Sequence, residues 1–268
     1  MTADLRLMCI LAHPDDESLG AGGLLAKYAA EGVQTALICA TRGERGWTGP
    51  ADQYPGPQAL GRLREGELRC AAEILQIGEI TFLDYIDGDL DQAEPAAVSA
   101  EIARHLRRFR PQVVVTFDPA GAYGHPDHIA ICQFTQAAVL MALDPSLTDS
   151  AGLTPHRVDK LYYMIDTEAD FAAYLSVVDD IVIEVDGIQR SAFGWVDWMV
   201  TTRIDVRPYR QQVLDAIACH RSQFPDMDQL LLGLAQTDLW KFQSLYRAMS
   251  QVNGGRQVET NLFAGLRE

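Results

Sequence analysis

The sequence is short of basic side chains, of cysteine pairs and of long apolar runs, and each shortage excludes a class of protein. Lysine and arginine total 22 against 37 aspartates and glutamates, a formal net charge of -15. Such a surface repels nucleic-acid phosphates and anionic lipid, and no local basic patch offsets it. Five cysteines, at positions 9, 39, 70, 132 and 219, are odd in number and contain no CxxC pair. They read as reduced core thiols of a cytoplasmic protein rather than a disulfide framework. No apolar stretch approaches the roughly 18 residues of a membrane span, and the N-terminal run meets charge too soon for a signal peptide. Internal repeats and low-complexity tracts are also lacking. What remains is a 268-residue chain, 48% hydrophobic, long enough to bury a sizeable core without staples.

The periodicity predicts alternating elements. An apolar run over 5–12 reads as a buried strand. A helix over 18–31 is stopped by Gly32 before a β-branched strand at 33–41. Helices at 58–76, 95–108 and 128–143 then alternate with strands at 80–83 and 113–117. This β-α-β order predicts an α/β fold with a Rossmann-like, mostly parallel sheet flanked by helices. We read 1–268 as a single domain, with a core over 1–145 and a C-terminal α/β elaboration over 146–268. In the latter we expect strands at 160–165 and 180–185 and helices at 209–220 and 238–249. Residues 43–57 (GERGWTGPADQYPGP) are too rich in glycine and proline for regular structure and read as a flap near a site.

Two polar clusters each follow a predicted strand: His13-Pro14-Asp15-Asp16-Glu17 and Tyr123-Gly124-His125-Pro126-Asp127-His128. In an open α/β sheet, ligands bind beyond the carboxyl ends of the strands, so two such clusters can share one crevice. Together they supply the three nitrogen or oxygen donors of a catalytic zinc site, with a carboxylate left over as base. Asp15, Asp16 or Ser18 could serve only as helix caps, and Pro126 and Asp127 as first-turn residues. Capping, however, asks for no histidine. Gly20-Ala21-Gly22-Gly23 resembles a dinucleotide fingerprint, but Leu25 stands where the third glycine is needed. Trp195, Trp198 and Trp240 could form a stacking wall for a sugar ring or belong to the core.

The stretch AHPDDESLGAGG (12–23) resembles the signature of the LmbE-like, PIG-L-type N-acetylglucosaminyl deacetylases, and HPDH (125–128) resembles its second metal motif. DPAGAYGHPDH (118–128), REGEL (64–68), FLDYIDGDL (82–90) and AIACHRSQ (216–223) are similar to further family segments. The resemblance implies that His13, Asp16 and His128 bind Zn2+, with Fe2+ suited to the same donors. It implies that Asp15 is the general base, that His125 is an acid or electrostatic stabiliser, and that Asp127 orients His125. Tyr123 would polarise the amide carbonyl, and Arg64, Glu44 and Asp87 would face the substrate. Some members carry an acidic residue where this chain has Arg45-Gly46-Trp47, which makes Glu44 the candidate for holding the sugar.

The expected function is zinc-dependent deacetylation of an N-acetylglucosamine-type amide in a small glycoside. An amidase acting on thiol conjugates of a glucosamine-containing cofactor, or a non-enzymatic zinc- or sugar-binding protein, are the alternatives. A closed structural site would need a fourth protein ligand. The expected partner is a small amidosugar rather than nucleic acid or membrane, and the sequence is compatible with a homo-oligomer.

Overall fold

The computed structural model describes residues 4–147, 152–178, 182–185, 187–252, 255 and 257–266. Seven strands form one sheet, in the spatial order 79–85, 34–41, 6–11, 113–116, 160–165, 242–250 and 202–205. Its parallel part comprises β1 (Arg6–Leu11), β2 (Gln34–Thr41), β3 (Glu79–Tyr85), β4 (Val113–Thr116) and β5 (Lys160–Ile165). The inner strands β1 and β4 are apolar almost without alternation because helices cover both faces. Leu7 of β1 pairs with Thr35 on one side and Val113 on the other. The chain runs outward from β1 through β2 to β3 and then returns to β4, so the strand order reverses between β1 and β4. A crevice opens there at the carboxyl ends of the strands.

The helices begin and end where local chemistry dictates. The first helical stretch is split by Gly20-Ala21 into α1 (Asp16–Leu19) and α2 (Gly22–Ala30). A Cβ on Gly23 would lie 2.8 Å from Val206, so this glycine permits close helix packing rather than phosphate binding. α3 (Pro57–Leu75) and α4 (Pro95–Phe109) both start on proline and end on a left-handed residue, Gln76 and Arg110. A short α5 (Gly121–Gly124) leads into α6 (Pro126–Leu143), which is capped by His125.

The C-terminal half contains α7 (Glu168–Leu175), a separate hairpin of β6 (Val182–Val185) and β7 (Ile188–Ser191), β8 (Thr202–Asp205), α8 (Arg210–Ile217), α9 (Met227–Ala235) and β9 (Phe242–Ser250). The helix expected over 238–249 is instead β9, lying antiparallel between β5 and β8. Its apolar spacing suits either period, and pairing on both edges decides for the strand. The strand expected from 180 begins at Val182, residues 180 and 181 lying outside the described residues. α7, β7, β8 and α9 had no counterpart among the sequence expectations.

The cysteine reading requires correction. Cys70 on α3 and Cys219 after α8 form a disulfide with Cα atoms 6.0 Å apart, although 149 positions separate them. The side-by-side packing of α3 and α8 creates that proximity, and nothing local announces it. Cys9, Cys39 and Cys132 are buried free thiols as expected. Among the described residues, no helix is long and apolar enough to cross a membrane.

Candidate metal centre and substrate cavity

The two polar clusters meet in the crevice between β1 and β4. His13 Nδ1 lies 3.2 Å from His128 Nε2. Asp16 completes a triangle, with Oδ2 3.7 Å from His13 Nδ1 and Oδ1 3.5 Å from His128 Nε2. Tetrahedral donors about 2.1 Å from a zinc ion stand roughly 3.4 Å apart, so this donor set fits a divalent cation. His125 also brings a ring nitrogen within 4.8 Å of those of His13 and His128. All three principal donors are buried.

Surrounding groups orient these donors. Asp16 Oδ2 accepts the amides of Ala12 and His13 at 3.1 and 2.7 Å, which leaves Oδ1 facing His128. His13 Nε2 faces Asp127 Oδ2 at 3.0 Å and Asp87 Oδ1 at 3.1 Å, leaving Nδ1 as its donor nitrogen. Burial disfavours a charged His13 ring, but Asp127, Asp87 and Asp16 outweigh it and raise its pKa to about 10. The pocket is thus electrostatically prepared for positive charge. Asp127 itself is held by the amides of Gly88 and Leu90 at 2.7 and 3.1 Å.

Several expected roles take a different form. The Asp127 carboxylate grips His13 rather than His125; only its backbone amide reaches His125, donating to Nδ1 at 3.2 Å. Nε2–H is then the donor that His125 can offer. Burial, aided by the neighbouring His13, lowers His125 to about 4, so it stands as a neutral ring rather than a protonated stabiliser. Asp87 engages His13 and the amide of Arg45 instead of open space. Arg64 is buried and braces the chain, with Nη1 on Gly43 O at 2.8 Å and Nη2 on Pro14 O at 2.6 Å. Its Nη2 also lies 3.3 Å from Asp15 Oδ2. Glu44 Oε1 accepts the Asp87 amide at 3.0 Å, while its buried Oε2 has no partner among the described residues.

Asp15 occupies an unusual backbone conformation, φ 105° and ψ -30°, which L-residues rarely adopt. Its amide donates to Glu17 Oε2 at 3.0 Å, and Glu17 Oε1 pairs with His220 Nε2 at 2.7 Å. Glu17 and His220 are both fully buried. The motif AIACHRSQ therefore reaches the site from behind, through a contact between residues 203 positions apart. Burial raises the Asp15 pKa despite the opposing Arg64 charge, which favours proton uptake by this carboxylate.

The flap is anchored to the same region. Thr48 Oγ1 donates to Ser222 O at 2.9 Å, and Gln223 Nε2 donates to Gly46 O at 3.0 Å. Beside the metal centre opens a cavity of about 170 Å³, to which Asp16, His128 and Tyr123 contribute. Leu19, Gly20, Phe117, Asp118 and Ala122 line it as well, and the rest of its wall comes from the C-terminal half, including Trp195 and Trp240. Trp198, by contrast, is 83% exposed and takes no part in it.

A parallel-sheet crevice holding a converging His-His-Asp set, with a spare carboxylate beside it, is the arrangement a metal-dependent hydrolase requires. Residues 8–139 match the family model described as PIG-L, GlcNAc-PI de-N-acetylase. The chain belongs to this PIG-L (LmbE-like) deacetylase family, whose members are metal-dependent. The 1D-myo-inositol 2-acetamido-2-deoxy-alpha-D-glucopyranoside deacetylase of Kineococcus radiotolerans is 33% identical over 97% of this chain and 83% of its own. The protein of the same name from Rhodococcus opacus is 35% identical over 82% of each. Among solved structures, N,N'-diacetylchitobiose deacetylase from Pyrococcus horikoshii superposes with a TM-score of 0.68 at 21% identity, covering 92% of this chain and 87% of that one. The 4-carboxy-2-hydroxymuconate hydratase of Pseudomonas putida superposes as well, with a TM-score of 0.69 at 17% identity, covering 94% and 99%. The fold alone therefore leaves the chemistry open.

Proposed function

We propose that this protein is a zinc-dependent hydrolase that removes acetyl from an N-acetylglucosamine amide in a small glycoside. The observation that carries the reading is the convergence of His13, Asp16 and His128 beside the spare carboxylate of Asp15. The names of the curated relatives make a myo-inositol glycoside the first compound to test.

His13, Asp16 and His128 would hold the ion. Bound there, zinc supplies Lewis acidity toward the amide carbonyl and a water of lowered pKa. Asp15 takes a proton from the attacking water and returns it to the departing amine. Arg64 and the Glu17–His220 pair keep that carboxylate aimed. The Nε2–H of His125 and the hydroxyl of Tyr123 donate to the negative charge that develops on the former carbonyl oxygen. The free oxygen of Glu44 accepts a sugar hydroxyl.

The test is amine release from a panel of N-acetylglucosaminides and unrelated amides, using metal-loaded, chelator-treated and zinc-restored protein. Zinc-restorable release from a glucosaminide supports the proposal. Release from other amides only, or release indifferent to the chelator, overturns it.

A further inference from the structure

The cavity beside the metal centre shares Asp16, His128 and Tyr123 with it, so a substrate whose acetamide lies at the metal must extend its remaining portion into that space. The outer wall is aromatic, built by Tyr174, Phe193, Trp195 and Trp240 from elements beyond β5. Flat apolar walls stack against the C–H faces of a saturated ring. Three carboxylates, Asp118, Asp166 and Asp170, also line the cavity, and no lysine or arginine does so among the described residues.

Two of those carboxylates are already engaged. Asp118 Oδ1 accepts the amides of Ala120 and Ala122, and its Oδ2 accepts the Trp195 indole N–H at 2.8 Å. Asp170 Oδ2 accepts the amide and hydroxyl of Thr167 as a helix cap. Asp166 has no hydrogen bond to its carboxylate among the described residues, and its backbone is fixed where Asp166 O accepts the Trp195 amide at 2.8 Å. It is a carboxylate on the cavity lining with no protein donor among the described residues. Solvent reaches it from the mouth, yet surrounding protein and the charges of Asp170 and Asp118 raise its pKa to about 6. At neutral pH it is ionised, which places a negative charge on the wall.

The geometry points to this cavity as the aglycone subsite, with Asp166 as the residue that selects an uncharged polyhydroxylated ring and rejects one bearing phosphate. Hydroxyls donate to the open carboxylate while the ring face lies on the aromatic wall; a phosphate dianion meets carboxylates with no lysine or arginine on the described lining to offset them. At roughly 6 Å and an effective dielectric near 20, one such repulsion alone corresponds to roughly a 100-fold loss of affinity. The inference rests on the deacetylase reading for the orientation of the substrate, but its test does not require turnover.

Binding to the full-length, zinc-loaded protein is measured by calorimetry in phosphate-free buffer at pH 7.5. The three probes are free N-acetylglucosamine, an N-acetylglucosaminyl cyclitol, and the same compound with one phosphate monoester on the cyclitol. The neutral glycoside is expected to bind at least 10-fold more tightly than the free sugar and roughly 100-fold more tightly than its phosphorylated counterpart. Because the Asp166 carboxylate supports no contact of the fold, Asp166→Asn should melt with the wild type. It should narrow the neutral-to-phosphorylated ratio at least 10-fold. Equal binding of the two glycosides, a neutral glycoside no tighter than the free sugar, or a ratio unmoved in Asp166→Asn would each overturn the assignment. Selective binding without amine release would keep the subsite and remove the deacetylase reading; amine release without charge discrimination would do the reverse.

Discussion

Removing His220 tests how the reactive carboxylate is held. His220 is fully buried and pairs with Glu17, whose second oxygen accepts the amide of Asp15 at its left-handed φ of 105°. His220→Ala leaves the Glu17 carboxylate buried with only Ser18 Oγ and the Asp15 amide. Breaking a buried pair in this way costs about 3–5 kcal/mol, against a total stability of about 5–15 kcal/mol. In a chain of this size that corresponds to a fall in Tm of roughly 10 °C. If Asp15 relaxes from its strained backbone by about 1 Å, kcat should drop roughly 100-fold while bound metal stays stoichiometric.

The pH dependence of the penalty has a defined window. Burial opposes a charged His220, but Glu17 outweighs it and raises its pKa, so its contribution is complete below the ordinary value of 6.5 and is lost as pH rises through the raised value. Burial likewise opposes a charged Glu17, but His220 outweighs it and lowers its pKa. That contribution is complete above 4.5 and is lost as pH falls through the lowered value. The His220→Ala penalty should therefore be greatest between pH 4.5 and 6.5. Calorimetric melts across pH, metal analysis and steady-state rates measure all of this. A variant melting within 2 °C of wild type, with kcat unchanged, would refute the reasoning. His220→Gln, which keeps a neutral donor toward Glu17, should recover part of both losses.

Four further outcomes follow from the contacts described. Asp15→Asn should keep its zinc and lose about a thousandfold in kcat, since it preserves shape and removes the base; wild-type turnover with metal bound would remove Asp15 from its role. Asp127→Ala, which leaves His13 Nε2 to Asp87 alone, should weaken zinc binding by about 10–100-fold in a competitive chelator titration, whereas His13→Ala should lose the site. Glu259 holds buried Lys160 Nζ at 2.8 Å and the Tyr162 hydroxyl at 2.6 Å, so Glu259→Ala should cost about 3 kcal/mol in denaturant melts. Burial works against the Glu259 charge, but Lys160 and Tyr162 prevail and lower its pKa; this stabilisation should persist above pH 4.5 and vanish as pH falls through the lowered value. Reduction of Cys70–Cys219, or Cys70→Ser, should destabilise by about 2–5 kcal/mol, read as a reductant-dependent Tm that the serine variant no longer shows.

Much of the site was legible because its chemistry is written in short contiguous motifs. HPDD and HPDH each combine strand end, helix start and donor side chains within a few residues, and parallel-sheet topology brings such ends together. The doubly covered core strands announced themselves as unbroken apolar runs, Leu7 to Leu11 and Val113 to Val115. Where two periods compete, as over 238–249, only the neighbouring strands β5 and β8 resolve them. The same holds for carboxylates. Sequence names Asp87 and Asp127 as acids near a motif, but their grip on His13 depends on where β3 and α6 leave the chain.

The local order of residues thus determined the α/β class and the two halves of the His-His-Asp cluster proposed as the metal centre, since these depend on interactions within a few positions along the chain. Tertiary structure alone decided the contacts that span it. The Glu17–His220 pair behind Asp15, the Cys70–Cys219 bridge, and the aromatic cavity with its open Asp166 join segments that no local pattern links. Their formation awaits burial of the core, when the same packing that excludes water brings distant side chains within reach.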